Sequence, residues 1–224
     1  MQKRTLALTL LFWSILMLSM ASSLSYATSG QTLQKFDYQT AHFEEGLVAY
    51  GSAWYGQQFT ASASYYLTNI TLKCIKLGSS WTKLTIGVGQ YDSTLNKTNI
   101  LTTQDIPISS IIGDWSDQNF TFSTPAKLSK DWKYIVFWYC DGTNDTNGFG
   151  FKVSTSDAYT SGSLVKSENG GQTWTIYGND AYFIFYGYAW ENPADIFLQW
   201  MPMIVLIMML GIAFGMLEEM MKKA

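Results

Sequence analysis

Ile196 to Leu217 runs for 22 residues without a charged side chain. At ~1.5 Å per residue a helix of that length reaches about 33 Å, enough to cross a ~30 Å hydrocarbon core. A core helix of a soluble domain rarely avoids charge for so long, so the run predicts a transmembrane helix. Trp190 and Trp200 fall at its leading edge, where amphipathic rings favour the interface. Pro202 is expected within the first two turns, where a missing N–H costs least. Glu218, Glu219, Lys222 and Lys223 close the span. The lysines favour a cytoplasmic C-terminus, which places everything before residue 190 outside the cell.

The N-terminus supports that orientation. Met1-Gln-Lys-Arg4 is a short positive start, Thr5 to Met20 is uncharged and apolar, and Ala21 to Ala27 is built of small residues. Ser25 and Ala27 occupy the −3 and −1 positions of a cut after Ala27. This order of regions predicts a cleaved secretory signal; the competing reading is an uncleaved anchor. All ten methionines lie in residues 1–20 or 201–221, so the middle is chemically a separate protein. The expected organisation is a signal peptide at 1–27, an extracellular domain at 28–189 and a juxtamembrane linker at 190–195. A transmembrane helix at 196–217 and a cytoplasmic tail at 218–224 follow. The protein is thus expected in the cell membrane as a single-pass chain.

Between residues 28 and 190 helical periodicity gives way to short alternating runs broken by Gly, Asn, Asp and Ser. Leu84, Ile86 and Val88 alternate with Thr85, Gly87 and Gly89, and Ile70, Leu72 and Cys74 share a face likewise. Tyr134 to Tyr139 is apolar on both faces, as a central strand would be. Strands are expected at 36–43, 57–60, 66–77, 83–91, 100–108, 119–123, 133–140, 149–154, 164–167, 173–177 and 181–188. So many short strands without βαβ spacing predict an all-β fold of two packed antiparallel sheets.

An ordered set of segments sharpens that expectation. Gln57-Gln-Phe-Thr60 is followed by Leu67-Thr-Asn-Ile-Thr-Leu72, Leu84-Thr-Ile-Gly-Val88, and Phe120-Thr-Phe-Ser-Thr-Pro-Ala-Lys-Leu128. Tyr134-Ile-Val-Phe137, Ser167-Glu-Asn-Gly-Gly-Gln-Thr-Trp174 and Ala181-Tyr-Phe-Ile-Phe-Tyr-Gly187 complete it. Over about residues 55–188 the chain resembles the jelly-roll modules of surface, phage and secreted proteins, which are shaped like carbohydrate-binding modules. The resemblance implies a jelly-roll sandwich and says less of function. Ser167 to Trp174 also resembles the Asp-box of sialidase-like propellers, whose role there is structural. A single copy cannot make a propeller, so Asn169-Gly170-Gly171 reads as a hairpin turn.

Composition excludes several chemistries. The net charge of −3 and a segment 28–195 with ten Lys against fifteen acids give no footing for nucleic acid. The only histidine, His42, stands beside Phe43, and no Gly-x-Ser-x-Gly is present. Two cysteines and one histidine do not make a usual structural zinc site. Carboxylate-pair hydrolysis stays open on composition, with Glu44-Glu45 reading as a solvated turn. The expectation is a non-catalytic protein.

The candidate sites are these. Trp54, Tyr55 and Trp115 sit beside Gly or Asp and are candidates for stacking on a sugar. Asp141, Asp145 and Asn147 offer oxygen ligands for Ca²⁺, the one candidate cofactor, though Asp/Asn/Gly loops are commonly plain turns. Cys74 and Cys140, in predicted strands of an oxidising compartment, form either a disulfide or two separate buried thiols. Asn69, Asn96, Asn119 and Asn144 each open a glycosylation sequon. Three functions follow: an anchored surface module binding glycan or a neighbouring surface protein, a structural subunit of a cell envelope or virion, and a hydrolase. Oligomeric state is not legible.

Overall fold

A computed structural model describes residues 32–41, 43–190 and 193–223. The signal at 1–27 and His42 lie outside the described residues. The chain divides into two units, the first ending at Ala189 and the second beginning at Trp190.

The first unit is built of two antiparallel sheets. One contains β1 (Gln34–Gln39), β2 (Glu45–Ala49), β4 (Tyr65–Leu77), β7 (Ser116–Leu128), β9 (Gly148–Val153) and β12 (Phe183–Ala189). Its organiser is β4, at 13 residues long enough to carry several partners. Tyr65 to Leu72 pair with β12 on one edge, and Tyr65 to Cys74 pair with β7 on the other. Beyond β12, Cys74 to Leu77 take up β9. β1 then covers β12 and β2 covers β9. The second sheet runs in the order β11 (Thr175–Ile176), β10 (Leu164–Ser167), β3 (Trp54–Thr60), β8 (Lys133–Cys140), β5 (Lys83–Asp92), β6 (Lys97–Pro107).

The predicted alternation appears as burial. Leu84, Ile86 and Val88 of β5 and Tyr134, Val136, Trp138 and Cys140 of β8 point inward, to join Ile70, Leu72, Phe149, Phe151, Phe183 and Phe185 of the facing sheet in one core. β8 is apolar on both faces because its outer residues Ile135 and Phe137 found a second cluster with Val165 and Trp174. Gly87 makes room for this layer: a Cβ there would lie 2.2 Å from the Phe137 ring. Pro125 is tolerated inside β7 because the register against β4 breaks there, between Leu67 and Asn69.

Several boundaries differ from expectation. The strand expected at 36–43 is β1, which starts earlier and stops at Gln39, and Glu45 opens β2, a strand that was not expected, instead of closing a solvated turn. Cys74 and Cys140 are free, buried thiols, which corrects the disulfide alternative. They belong to opposite sheets, and the Cys140 thiol donates to the Ala49 carbonyl at 3.0 Å.

The second unit is helix α1 (Pro193–Lys223). It is long and apolar enough to cross a membrane over Trp200–Lys222, with a mean hydropathy of 2.2. Proline at its first position suits a helix start. Residues 193–195, expected in the linker, are helical, and Pro202 therefore falls deeper than the first two turns. There it gives up one helical hydrogen bond in the interior.

Candidate functional site

β3 and β10 meet in a register that sets alternate residues on opposite faces. Trp54 pairs with Ser167 and Tyr55 with Lys166. Trp54 thus faces the outside of its sheet, while Tyr55 and Lys166 face the space between the sheets, at their ends. The Lys166 ammonium lies 2.8 Å from Glu168 and 5.6 Å from the centre of the Tyr55 ring. Glu168 follows directly on the end of β10, and its bond to Lys166, two residues earlier, holds the two on one side.

Two surface depressions adjoin this pair. The larger, of about 470 Å³, is walled by the β2–β3 turn from Tyr50 to Ala53, by Tyr55 and by Thr143. The smaller, of about 340 Å³, is walled by Asn169, Thr173, Thr175 and Tyr177. Lys166 and Glu168 line both, so the ion pair is common to the two depressions, taken together below as the groove and its two lobes. Tyr50 and Tyr177 are 40% and 38% exposed, which leaves ring area free in each depression. Burial raises the Tyr55 hydroxyl pKa, and the Lys166 charge opposes it in part. The bond from Lys166 holds the Glu168 carboxyl below its usual range, and the same bond raises the Lys166 ammonium. Both groups are therefore ionised at neutral pH.

The wall around Asn169 is rigid for reasons written in its sequence. The Ser167 hydroxyl accepts from Gly171 N–H at 2.9 Å and donates to Asn169 Oδ1. Asn169 Oδ1 accepts from Thr173 N–H, and its amide donates to the Thr173 hydroxyl. Gly170 and Gly171 take φ of 69° and 79°, a left-handed region that suits glycine. Trp174 anchors the turn, its ring 6.3 Å from that of Phe137 and its indole N–H on Thr98. Asn96, at φ 51°, clamps it further: its amide donates to the Trp174 carbonyl while its oxygen accepts from Trp174 N–H and the Tyr91 hydroxyl.

The three aromatic candidates do not converge. Trp54 is half-buried, stacked on Tyr139 at 4.1 Å and on Phe137 at 5.1 Å, with Gly171 pressed against it. It supports the groove from behind. Tyr55 lines the groove. Trp115 lies in the bend just before β7, against the other sheet, where it packs over Gly46 and Gly150 with the Lys152 ammonium 4.6 Å away. Tyr50, Lys166 and Glu168 were not singled out from sequence.

The oxygen-rich loop is occupied with its own fold. Asp141 accepts from Thr82 N–H, Thr82 hydroxyl and Lys83 N–H, which fixes the start of β5. Asn147 accepts from Ser80 N–H and donates to Thr143. Asp145 is exposed. Among the described residues no cluster of three or more His, Cys, Asp or Glu side chains is placed to hold a metal. Of the sequon asparagines, Asn119 and Asn144 are exposed, Asn69 is half-buried and donates to Thr121, and Asn96 is spent on its clamp.

Two acids that the sequence reading passed over are buried. Asp180 accepts from Gln57, Ala158 N–H and Tyr159 N–H, and Asp37 accepts from the Tyr65 hydroxyl at 2.9 Å. Burial raises the pKa of both carboxyls against these hydrogen bonds. They are consumed in holding the fold. No protein-family model matches the chain, and no curated protein matches its sequence.

Proposed function

We propose that this chain is a membrane-anchored surface module of jelly-roll type that binds glycan, without catalysis, through the groove at Lys166. The jelly-roll reading is supported by strand order. Leaving aside β2, β9, β10 and β11, the sheets run β1-β12-β4-β7 and β3-β8-β5-β6. In chain order these eight pair first with last, second with seventh, third with sixth and fourth with fifth. That is one long antiparallel ribbon wound into two Greek keys. The anchor reading is supported by α1, and the outside placement of the domain by the lysines that end it.

One observation carries the binding reading: an ionised Lys–Glu pair is shared by two surface depressions, each lined by a partly exposed tyrosine ring. Rings supply flat apolar area for a sugar face, and the pair supplies hydroxyl-directed donors and acceptors. The test is a glycan array probed with the full chain in lipid nanodiscs. Binding that is lost in Tyr50→Ala/Tyr177→Ala, with the near-ultraviolet circular dichroism of the core retained, supports the reading. Binding to no glycan, or binding that survives the double variant, refutes it.

A further inference from the structure

We infer that the groove takes a neutral oligosaccharide of at least two sugar units and turns acidic chains away, with Glu168 as the residue that sets this selectivity. The inference rests on the glycan-binding reading and adds the substrate class to it.

The first observation is shape. The depressions of about 470 and 340 Å³ are separate, yet share Lys166 and Glu168. A single sugar unit can occupy only one lobe and leaves the other to water. A chain laid across the ion pair reaches Tyr50 in one lobe and Tyr177 in the other. The second observation is charge. Among the described residues Lys166 is the only cation lining either lobe, and Glu168 the only anion. The ammonium already holds the Glu168 carboxylate at 2.8 Å. A carboxylate or sulfate on the ligand must displace Glu168 or lie beside it, and like charges brought together cost affinity. A neutral hydroxyl can donate to Glu168 and accept from Lys166 with the pair intact. The remaining polar wall is hydroxyls and an amide, from Ser52, Thr143, Asn169, Thr173 and Thr175, which suits uncharged partners.

The experiment uses the full chain in zwitterionic nanodiscs, against neutral and uronate oligosaccharides of one to six units printed as matched pairs. Wild type should prefer the neutral member of each pair, and affinity should step up between one and two or more units. Tyr50→Ala and Tyr177→Ala should each cost about 2–10-fold on the longer chains, the range set by loss of one ring contact. Glu168→Gln unpairs the ammonium, and a new charge-assisted contact should raise the acidic-to-neutral affinity ratio by about tenfold or more. The Lys166→Gln/Glu168→Gln double variant should show no such gain. Near-ultraviolet circular dichroism establishes that each variant is folded. Equal or tighter binding of uronates by wild type overturns the inference and leaves glycan binding standing. So does an affinity independent of chain length, or a ratio unmoved in Glu168→Gln. Failure of every glycan to bind overturns the underlying reading itself.

Discussion

Asp180 offers the sharpest test of how the loops behind the groove are held. It is fully buried, and three donors converge on its carboxylate: Gln57 Nε2 at 3.0 Å, Ala158 N–H at 2.8 Å and Tyr159 N–H at 2.7 Å. Gln57 cannot turn away, because its oxygen accepts from Ala181 N–H at 2.8 Å. Asp180→Ala takes the acceptor from the Ala158 and Tyr159 N–H groups, while Gln57 Nε2 keeps its bond to the Gln58 carbonyl. At about 1–3 kcal/mol for each stranded donor the gross loss is about 2–6 kcal/mol, less what solvent returns to the exposed Ala158. Removing the carboxylate also removes its burial cost, and water entering the space recovers part of the rest. We expect a net loss of about 2–4 kcal/mol, against the ~5–15 kcal/mol that domains usually possess. Asp180→Asn keeps one oxygen. With that oxygen toward Ala158 and Tyr159, only the contact with Gln57 turns into donor against donor, so the loss should be about 1–2 kcal/mol.

The pH dependence separates the variants again. Burial raises the Asp180 and Asp37 carboxyl pKa values in the folded chain. The folded state then holds protons that the unfolded chain has already released. These two groups therefore contribute most stability at low pH, and that contribution falls as pH rises from the ordinary carboxylate range through the raised folded values. Asp180→Asn should flatten this fall without abolishing it, because Asp37 remains. Urea unfolding of the full chain in detergent micelles, followed by near-ultraviolet circular dichroism between pH 3 and 8, reads both effects. Should Asp180→Ala cost under about 1 kcal/mol, or Asp180→Asn cost as much as Asp180→Ala, the account of this network is refuted.

Gly87→Ala should cost about 1–3 kcal/mol or more, because its Cβ would lie 2.2 Å from the Phe137 ring, whereas Gly113→Ala, with nothing within 4 Å, should stay within ~0.5 kcal/mol in the same unfolding assay. Asn96→Gln should lower stability by about 1–2 kcal/mol through loss of the Trp174 clamp. Expressed in a glycosylating host, that variant should keep its mass, while Asn119→Gln and Asn144→Gln each lose one glycan in intact-protein mass spectrometry. The thiols of Cys74 and Cys140 should be silent to Ellman's reagent in the folded chain, and both should react in denaturant without a reductant. A denatured, unreduced chain with no reactive thiol would show a disulfide instead.

What the sequence made legible was periodicity, and what it hid was convergence. β8 and β10 fall at 133–140 and 164–167 as read, because each carries its own pattern of apolar residues between clear breaks. α1 is legible for the same reason: its signal lies in consecutive residues. β2 was hidden because Glu45-Gly46 looks solvated by itself, and only pairing with β9, about a hundred residues later, makes it a strand. Asp37 was hidden similarly. A register shift between Lys35 and Tyr38 turns Phe36 and Asp37 inward together, so the acid enters the core beside a ring stacked 4.0 Å from Tyr65. No local pattern marks that event. The groove follows the same logic. Tyr50 and Tyr55 come from one end of the chain's strand set, Lys166, Glu168 and Tyr177 from the other, and the pairing of β3 with β10 brings them together. Trp54 and Tyr55, both candidates for stacking and adjacent in sequence, do not share a surface, because strand geometry sends consecutive side chains to opposite faces. The neighbour that faces the groove with Tyr55 is its cross-strand partner Lys166, so the binding chemistry of this fold is written in the register of its strands.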